Sequence, residues 1–231
     1  MEEFIIAGRP VSILSKNEID REIDKATLDR READFRGKNL QFLSLAEKNL
    51  DYGINLENSW ISGNVFLADT TINGSINMAN AIVDGSFFFG RGKLMGDLSL
   101  EKARIGQTIN MVGLNITGSM HFSEAKVSGF ISLAKAVILG DVDFRRVEVR
   151  DYTKDELTIK GDIYLKSAQI NGFLDLSEAM VSGMVSLENA LIRRSLLAKN
   201  LGMKDSLVLK NSLYNKEYID FSGIPAEKII Q

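Results

Sequence analysis

From Ile61 to Leu191 the chain repeats itself every eleven residues. Read from Ile72, the unit is Ile-x-Gly-x-Ile-x-Met-x-x-Ala-x, and further units begin at Val83, Leu94, Ile105, Ile116, Val127 and Ile138. A ten-residue unit beginning at Val149 interrupts the series, which resumes at Ile159, Ile170 and Val181. All twelve units have an aliphatic first position, eleven have apolar fifth and seventh positions, and ten have glycine third. A chain that repeats its apolar positions this strictly winds one shape again and again, which restricts it to a solenoid. Helix is excluded, because the recurring glycine breaks any 3.6-residue apolar stripe. A leucine-rich repeat fits less well, since no helical or asparagine-ladder segment separates the apolar pairs.

Side chains two apart point the same way in an extended chain. The unit therefore holds two short inward faces, fifth-x-seventh (Val65-x-Leu67, Ile76-x-Met78) and tenth-x-first (Ala81-x-Val83, Ala103-x-Ile105). Between them lie two corners. The polar pair, as in Glu101-Lys102, makes one. The x-Gly-x segment makes the other, and positive φ is expected there at Gly74, Gly118, Gly129 and Gly172. Two units would close one four-sided coil, stacked on the next at about 4.8 Å. Residues 33–213 then hold about eight coils, a rod on the order of 40 Å long. In this register Phe89, Phe122 and Phe144 point inward.

Upstream the period tightens to five: Ala33-Asp34-Phe35-Arg36-Gly37, Lys38-Asn39-Leu40-Gln41-Phe42, Leu43-Ser44-Leu45-Ala46-Glu47 and Lys48-Asn49-Leu50-Asp51-Tyr52. These residues resemble the pentapeptide-repeat family, whose unit is Ala-(Asp/Asn)-Leu-x-x with the central apolar residue and the small residue two before it facing inward. The eleven-residue unit looks like a five-plus-six variant, with the same inward pairing at Ala81-x-Val83 and Phe87-x-Phe89. The resemblance implies an all-β, single-domain, right-handed quadrilateral β-helix. It brings no common catalytic residues. It also suggests one role, a DNA mimic that protects a topoisomerase.

The flanking segments read as caps, giving 1–32, then the β-helix over 33–213, then 214–231 as a second cap or dimer contact. An uncapped coil end exposes strand edges and core. Ser15-x-x-Glu18 is a capping-box pattern that opens a helix to about Arg31, with Ile19, Ile23, Ala26 and Leu28 roughly on one face. The irregular unit at Val149 places Thr153 and Asp155 where apolar residues belong, so a loop over 150–156 is expected to replace one face.

Charge argues about partners. The net charge is −3, and residues 61–148 carry eight acidic and eight basic side chains. Direct nucleic-acid binding needs a basic face, and no segment supplies one. A topoisomerase-protecting DNA mimic needs a dominant acidic face, which the balance also disfavours. The chain has no cysteine, so thiol catalysis and cysteine-bound metal are excluded. Met1-Glu2-Glu3 is acidic where a secretory signal is basic, and no segment has the roughly 20 apolar residues of a membrane span. A cytoplasmic, non-membrane protein is expected.

Outward positions hold the candidate sites. On one side the expected columns give Asp97/Ser99, Ser119/His121, Asp141/Asp143 and Asp162/Tyr164. His121, Asp141 and Asp143 could hold a divalent metal or pair as base and orienter; a solvated polar face is the simpler account. On the other side Phe66, Phe88, Phe130, Tyr152 and Phe173 would form an aromatic ladder, a mark of contact surfaces. Gly90-x-Gly92 followed by Gly96 is not a dinucleotide fingerprint, because no helix follows it. No cofactor is expected. The leading expectation is a non-catalytic scaffold that presents flat faces to a protein partner or to a second copy, as a homodimer. The alternatives are the DNA mimic and a metal-dependent activity at His121/Asp143.

Overall fold

The computed structural model describes residues 4–6, 9–215 and 218–231. Residues 1–3, 7–8 and 216–217, which belong to the two expected caps, lie outside the described residues. The protein is an all-β, right-handed parallel solenoid of about ten turns with one α-helix. Its coil strands are two or three residues long, each paired in parallel with a strand one coil away. Val65–Phe66 lies against Phe87–Phe88, and Ile76–Asn77 against Leu98–Ser99, at the 22-residue spacing that two units supply. Four sheets result, named here in chain order by one outward residue each: the Phe88, Leu139, His121 and Arg104 faces. The Leu139 face is eight strands deep and the other three are nine. The coil count exceeds eight because pairing runs past 33–213 on both sides. It takes in Ile13–Leu14 before that span and Ile219–Asp220 and Ile229–Ile230 after it.

The inward register is as the spacing requires. Ile76, Met78, Ala81 and Val83 have no solvent exposure, and neither do Phe89, Phe122 and Phe144. Phe122 and Phe144 stack inside the coil with ring centroids 4.6 Å apart.

The two corners exchange the roles expected of them. Among Gly74, Gly118, Gly129 and Gly172, only Gly129 has positive φ, at 93°. The left-handed residue sits instead in the polar pair, at the ninth position, where Asn80, Lys102 and Glu124 have φ of 57°, 56° and 60°. There it closes a tight turn, the tenth N–H returning to the seventh carbonyl as in Ala81 N to Met78 O at 3.0 Å. The third position is glycine for space. A Cβ on Gly118 would lie 2.5 Å from the carbonyl oxygen of Gly96, and one on Gly140 equally close to that of Gly118. Coils touch backbone to backbone along this corner.

The irregular unit at Val149 is an insertion, not a replaced face. Val149 pairs with Val127 at the usual 22 residues but with Val181 at 32, and Ile131 pairs with Ile163 also at 32, so the chain across this segment is ten residues longer than a coil. The extra ten, 151–160, leave the coil as an antiparallel hairpin of Tyr152–Lys154 and Leu157–Ile159. Without them Val149-Arg150-Gly161-Asp162-Ile163-Tyr164-Leu165 reads as one regular unit. Ile159 therefore starts no unit. Every unit after it therefore lies half a coil, two faces, away from where its count from Ile159 places it.

At the N-terminal end the helix Lys16–Leu28 begins with the full capping box at Ser15 and Glu18 and buries Ile19, Ile23 and Ala26 in the solenoid core. Leu28, expected on that face, is 84% exposed. Glu22 fixes the junction, accepting from Arg31 at 2.6 Å and from the Asp34 N–H at 3.0 Å. At the other end Lys228 Nζ donates to the Met203 and Lys204 carbonyls, closing the edge of the Arg104 face.

Two substitutions at the corners should act in opposite directions. Gly118→Ala should destabilise by about 1–3 kcal/mol or more through overpacking against rigid backbone. Lys102→Gly should range from neutral to about 1 kcal/mol stabilising, because it relieves a left-handed non-glycine residue. Denaturant melts of both variants check the assignment, and equal destabilisation would contradict it.

Candidate interaction faces

Most outward polar residues next to the strands are engaged by the coil itself. At the fourth position the side chains of Ser75, Asp97, Ser119 and Asp141 accept the backbone N–H of the fourth residue one coil on. Asp97 N donates to Ser75 Oγ at 3.0 Å, Ser119 N to Asp97 Oδ1 at 2.8 Å, Asp141 N to Ser119 Oγ at 3.0 Å and Phe173 N to Asp141 Oδ1 at 3.0 Å. The opposite corner repeats the device, with Ser86 N donating to Asn64 Oδ1 at 2.7 Å and Met184 N to Asp162 Oδ1 at 2.7 Å. At the sixth position a carboxylate or amide accepts from the N–H two residues on. Asn77, Asp143 and Asp175 do so at 3.0, 2.9 and 2.9 Å. These bonds satisfy donors at the turns and explain why polar residues recur there.

They also decide what the histidine side offers. His121 and Asp143 are register partners on adjacent coils, as expected. Asp141 Oδ1, however, belongs to the inter-coil ladder, and Asp143 is held by Arg145 through both carboxylate oxygens, at 2.9 and 2.6 Å. Burial pushes the Asp143 carboxyl up. The Arg145 side chain, its backbone N–H and its charge outweigh that, with help from His121, and hold the group below the ordinary carboxylate value. Among the described residues no group of three or more His, Cys, Asp or Glu side chains is placed to hold a metal. Asp162 and Tyr164, expected in this column, lie on the Phe88 face, where Tyr164 follows Ser132. The hairpin shifted the count.

The same shift breaks the expected aromatic ladder. Phe173 lies on the His121 side, where its N–H meets Asp141, and Tyr152 belongs to the inserted hairpin. Two clusters remain on the Phe88 face. Phe66 and Phe88 stack almost parallel, 5.2 Å apart at 5°, on the outside of the coil. Further along, Phe130 meets Tyr164 edge-on at 6.1 Å. The Tyr164 hydroxyl donates to Asp162 at 2.6 Å, and burial, with that bond and the Asp162 charge, pushes its pKa up to about 12. Asn110 and Ser132 separate the clusters.

Two features escaped the sequence reading. One is the hairpin, whose Leu157 is 63% exposed; Asp151 ties its base by accepting from Gly161 N and Ser182 Oγ. The other is the Arg104 face, a shallow groove over Ile82, Arg104, Lys126, Glu148 and Arg150. Its Glu148 pairs with both Lys126, at 2.9 Å, and Arg150, at 2.6 Å. Scanning the eleventh and second positions along the repeat would have exposed this column. Elsewhere carboxylates sit beside arginines, as in Asp34–Arg36, Asp69–Arg91 and Glu178–Arg146. No helix among the described residues is long and apolar enough to cross a membrane. Comparison with protein-family models, curated proteins and solved structures finds no match.

Asp143→Asn keeps the turn acceptor and removes the charge beside Arg145. It should cost roughly 1–3 kcal/mol at neutral pH, as for hydrogen bonds to charged groups. Because the folded carboxyl titrates below its unfolded value, this stability is complete above the unfolded pKa near 3.8 and is lost as pH falls through the folded value. The gap between wild type and variant should therefore narrow as pH falls below about 3.8 and through the folded value. Urea melts across pH that show a constant gap would contradict it.

Proposed function

We propose that the protein is a non-catalytic interaction scaffold, related in design to pentapeptide-repeat proteins, whose Phe88 face receives a protein partner. One observation carries the reading: Phe66 and Phe88 stack on the outer surface, Phe66 36% exposed, where burial in the chain's own core does not account for them. Aromatic pairs that keep an open ring face make anchors for a partner, because they offer large apolar area at small entropic cost. The surroundings support it. Phe42, also 36% exposed, lies one strand towards the N-terminal end, and the neighbouring outward positions are Ser44, Asn64 and Asn110. A rigid nine-stranded sheet holds these groups in place, so little ordering cost attends binding.

The other two readings have less support. A DNA mimic needs unpaired carboxylates in a regular array, whereas Asp34, Asp69, Asp143 and Glu178 are paired with arginines. A metal-dependent activity at His121, Asp141 and Asp143 needs oxygens that the ladder and Arg145 occupy.

The test is a Phe66→Asp/Phe88→Asp double variant compared with wild type as bait in lysate of the source cells. Wild type should retain a defined protein in roughly stoichiometric amount, and the variant should lose it while keeping its far-UV spectrum. The charges would be desolvated only in the complex. A retained protein indifferent to the substitutions would remove the Phe88 face from the account.

A further inference from the structure

The Leu139 face has a composition unlike the other three. Between Thr71 and Leu213 its outward positions, the eleventh and second of the unit, hold no carboxylate among the described residues. Two cations, Lys93 and Arg193, stand near its ends. Its large apolar side chains stand in solvent: Met95 is 55% exposed, Leu139 50% and Leu213 66%.

We propose that this face binds a second copy of the chain, with the two rods antiparallel about a two-fold axis through Val137 and Leu139. The proposal uses a different face from the partner site above and does not depend on it. The pairing follows from the strand order, in which Asn115 and Gln169 flank Val137 in the sheet. An axis along the strand direction sets each eleventh position against an eleventh and each second against a second. Val137 then meets Val137 and Leu139 meets Leu139. One coil out, Asn115 faces Gln169 and Thr117 faces Asn171, so amides and a hydroxyl can exchange hydrogen bonds. Two coils out, Lys93 faces Leu191 and Met95 faces Arg193, so each cation lies over an apolar side chain. The Lys93 stem can cover Leu191 while its charged head reaches the rim, and Arg193, whose Nε donates to Asn171 Oδ1 at 3.0 Å on the same face, can lay its stem over Met95.

A face that meets itself about a dyad opposes like charges wherever it is charged near the axis, and such contacts are strongly unfavourable. This face is neutral there. Its area also suffices. Seven strands at about 4.8 Å spacing and about five residues across give roughly 550 Å² per copy, about 1,100 Å² in all, against the ~1,000 Å² expected of a specific interface.

Because Leu139 would face its own copy, a charge of either sign placed there tests the geometry. Sedimentation velocity in the micromolar range should show wild type at about twice the 25.6 kDa of one chain. Leu139→Glu and Leu139→Lys should each associate roughly a hundredfold more weakly and sediment as monomers, from like charges at the axis. Each should keep the wild-type far-UV spectrum. An equimolar mixture of the two should recover the dimer, while Phe66→Asp/Phe88→Asp should dimerise as wild type does. A monomeric wild type, an undisturbed Leu139→Glu dimer, or a mixture that stays monomeric would each overturn the proposal.

Discussion

The contact between glycine backbones of successive coils sets the terms for the rest of the molecule. Gly118 lies so close to Gly96, and Gly140 to Gly118, that no side chain fits between them. That approach lets short strands on either side of the corner pair at strand spacing. Paired strands in turn hold the fifth, seventh, tenth and first side chains in line, so that each core layer closes on the one before. The left-handed ninth residue then needs no glycine. A single turn bond, as from Ala81 N to Met78 O, and the flanking ladder hold it in place, so Lys102 and Arg91 are tolerated.

A coil of this kind absorbs most of its own polar groups. Side chains at the fourth and sixth positions serve as acceptors for backbone donors, which is why aspartate, asparagine and serine recur there. Asp141 and Asp143 look like ligands beside His121 until those bonds are followed. What the coil does not use is then informative. The Phe66–Phe88 stack, the apolar column of the Leu139 face and the ten-residue hairpin make no contribution that the repeat itself demands. Recognition chemistry can be placed on them without cost to the fold.

The eleven-residue period made the solenoid, the inward register and the buried Phe89, Phe122 and Phe144 legible in advance. The capping box at Ser15 and Glu18 located the helix. The hairpin was not legible, because its length nearly matches the repeat. Ile159 falls ten residues after Val149 and supplies an aliphatic residue where a first position is expected. A hydrophobicity count cannot separate a short unit from an insertion; only the parallel pairing of Val149 with Val181 does. One miscounted unit moved Phe173 and Tyr164 to the wrong sides, so the fold survived the error and the surface columns did not. The glycine corner failed for another reason. Close approach and positive φ both select glycine, and composition alone does not distinguish them.

From Leu43 to Leu213 the protein is one solenoid of 22-residue coils into which 151–160 is inserted from outside. Deleting those ten residues joins Arg150 to Gly161 and completes a regular unit. Thermal melting of the deletion variant, followed by circular dichroism, tests this most directly. The deletion variant should keep an unchanged β-sheet spectrum and melt in one cooperative transition within about 5 °C of wild type, as for a change of about 1 kcal/mol or less. A variant that loses its β-sheet signal or melts without cooperativity would show that the segment belongs to the coil.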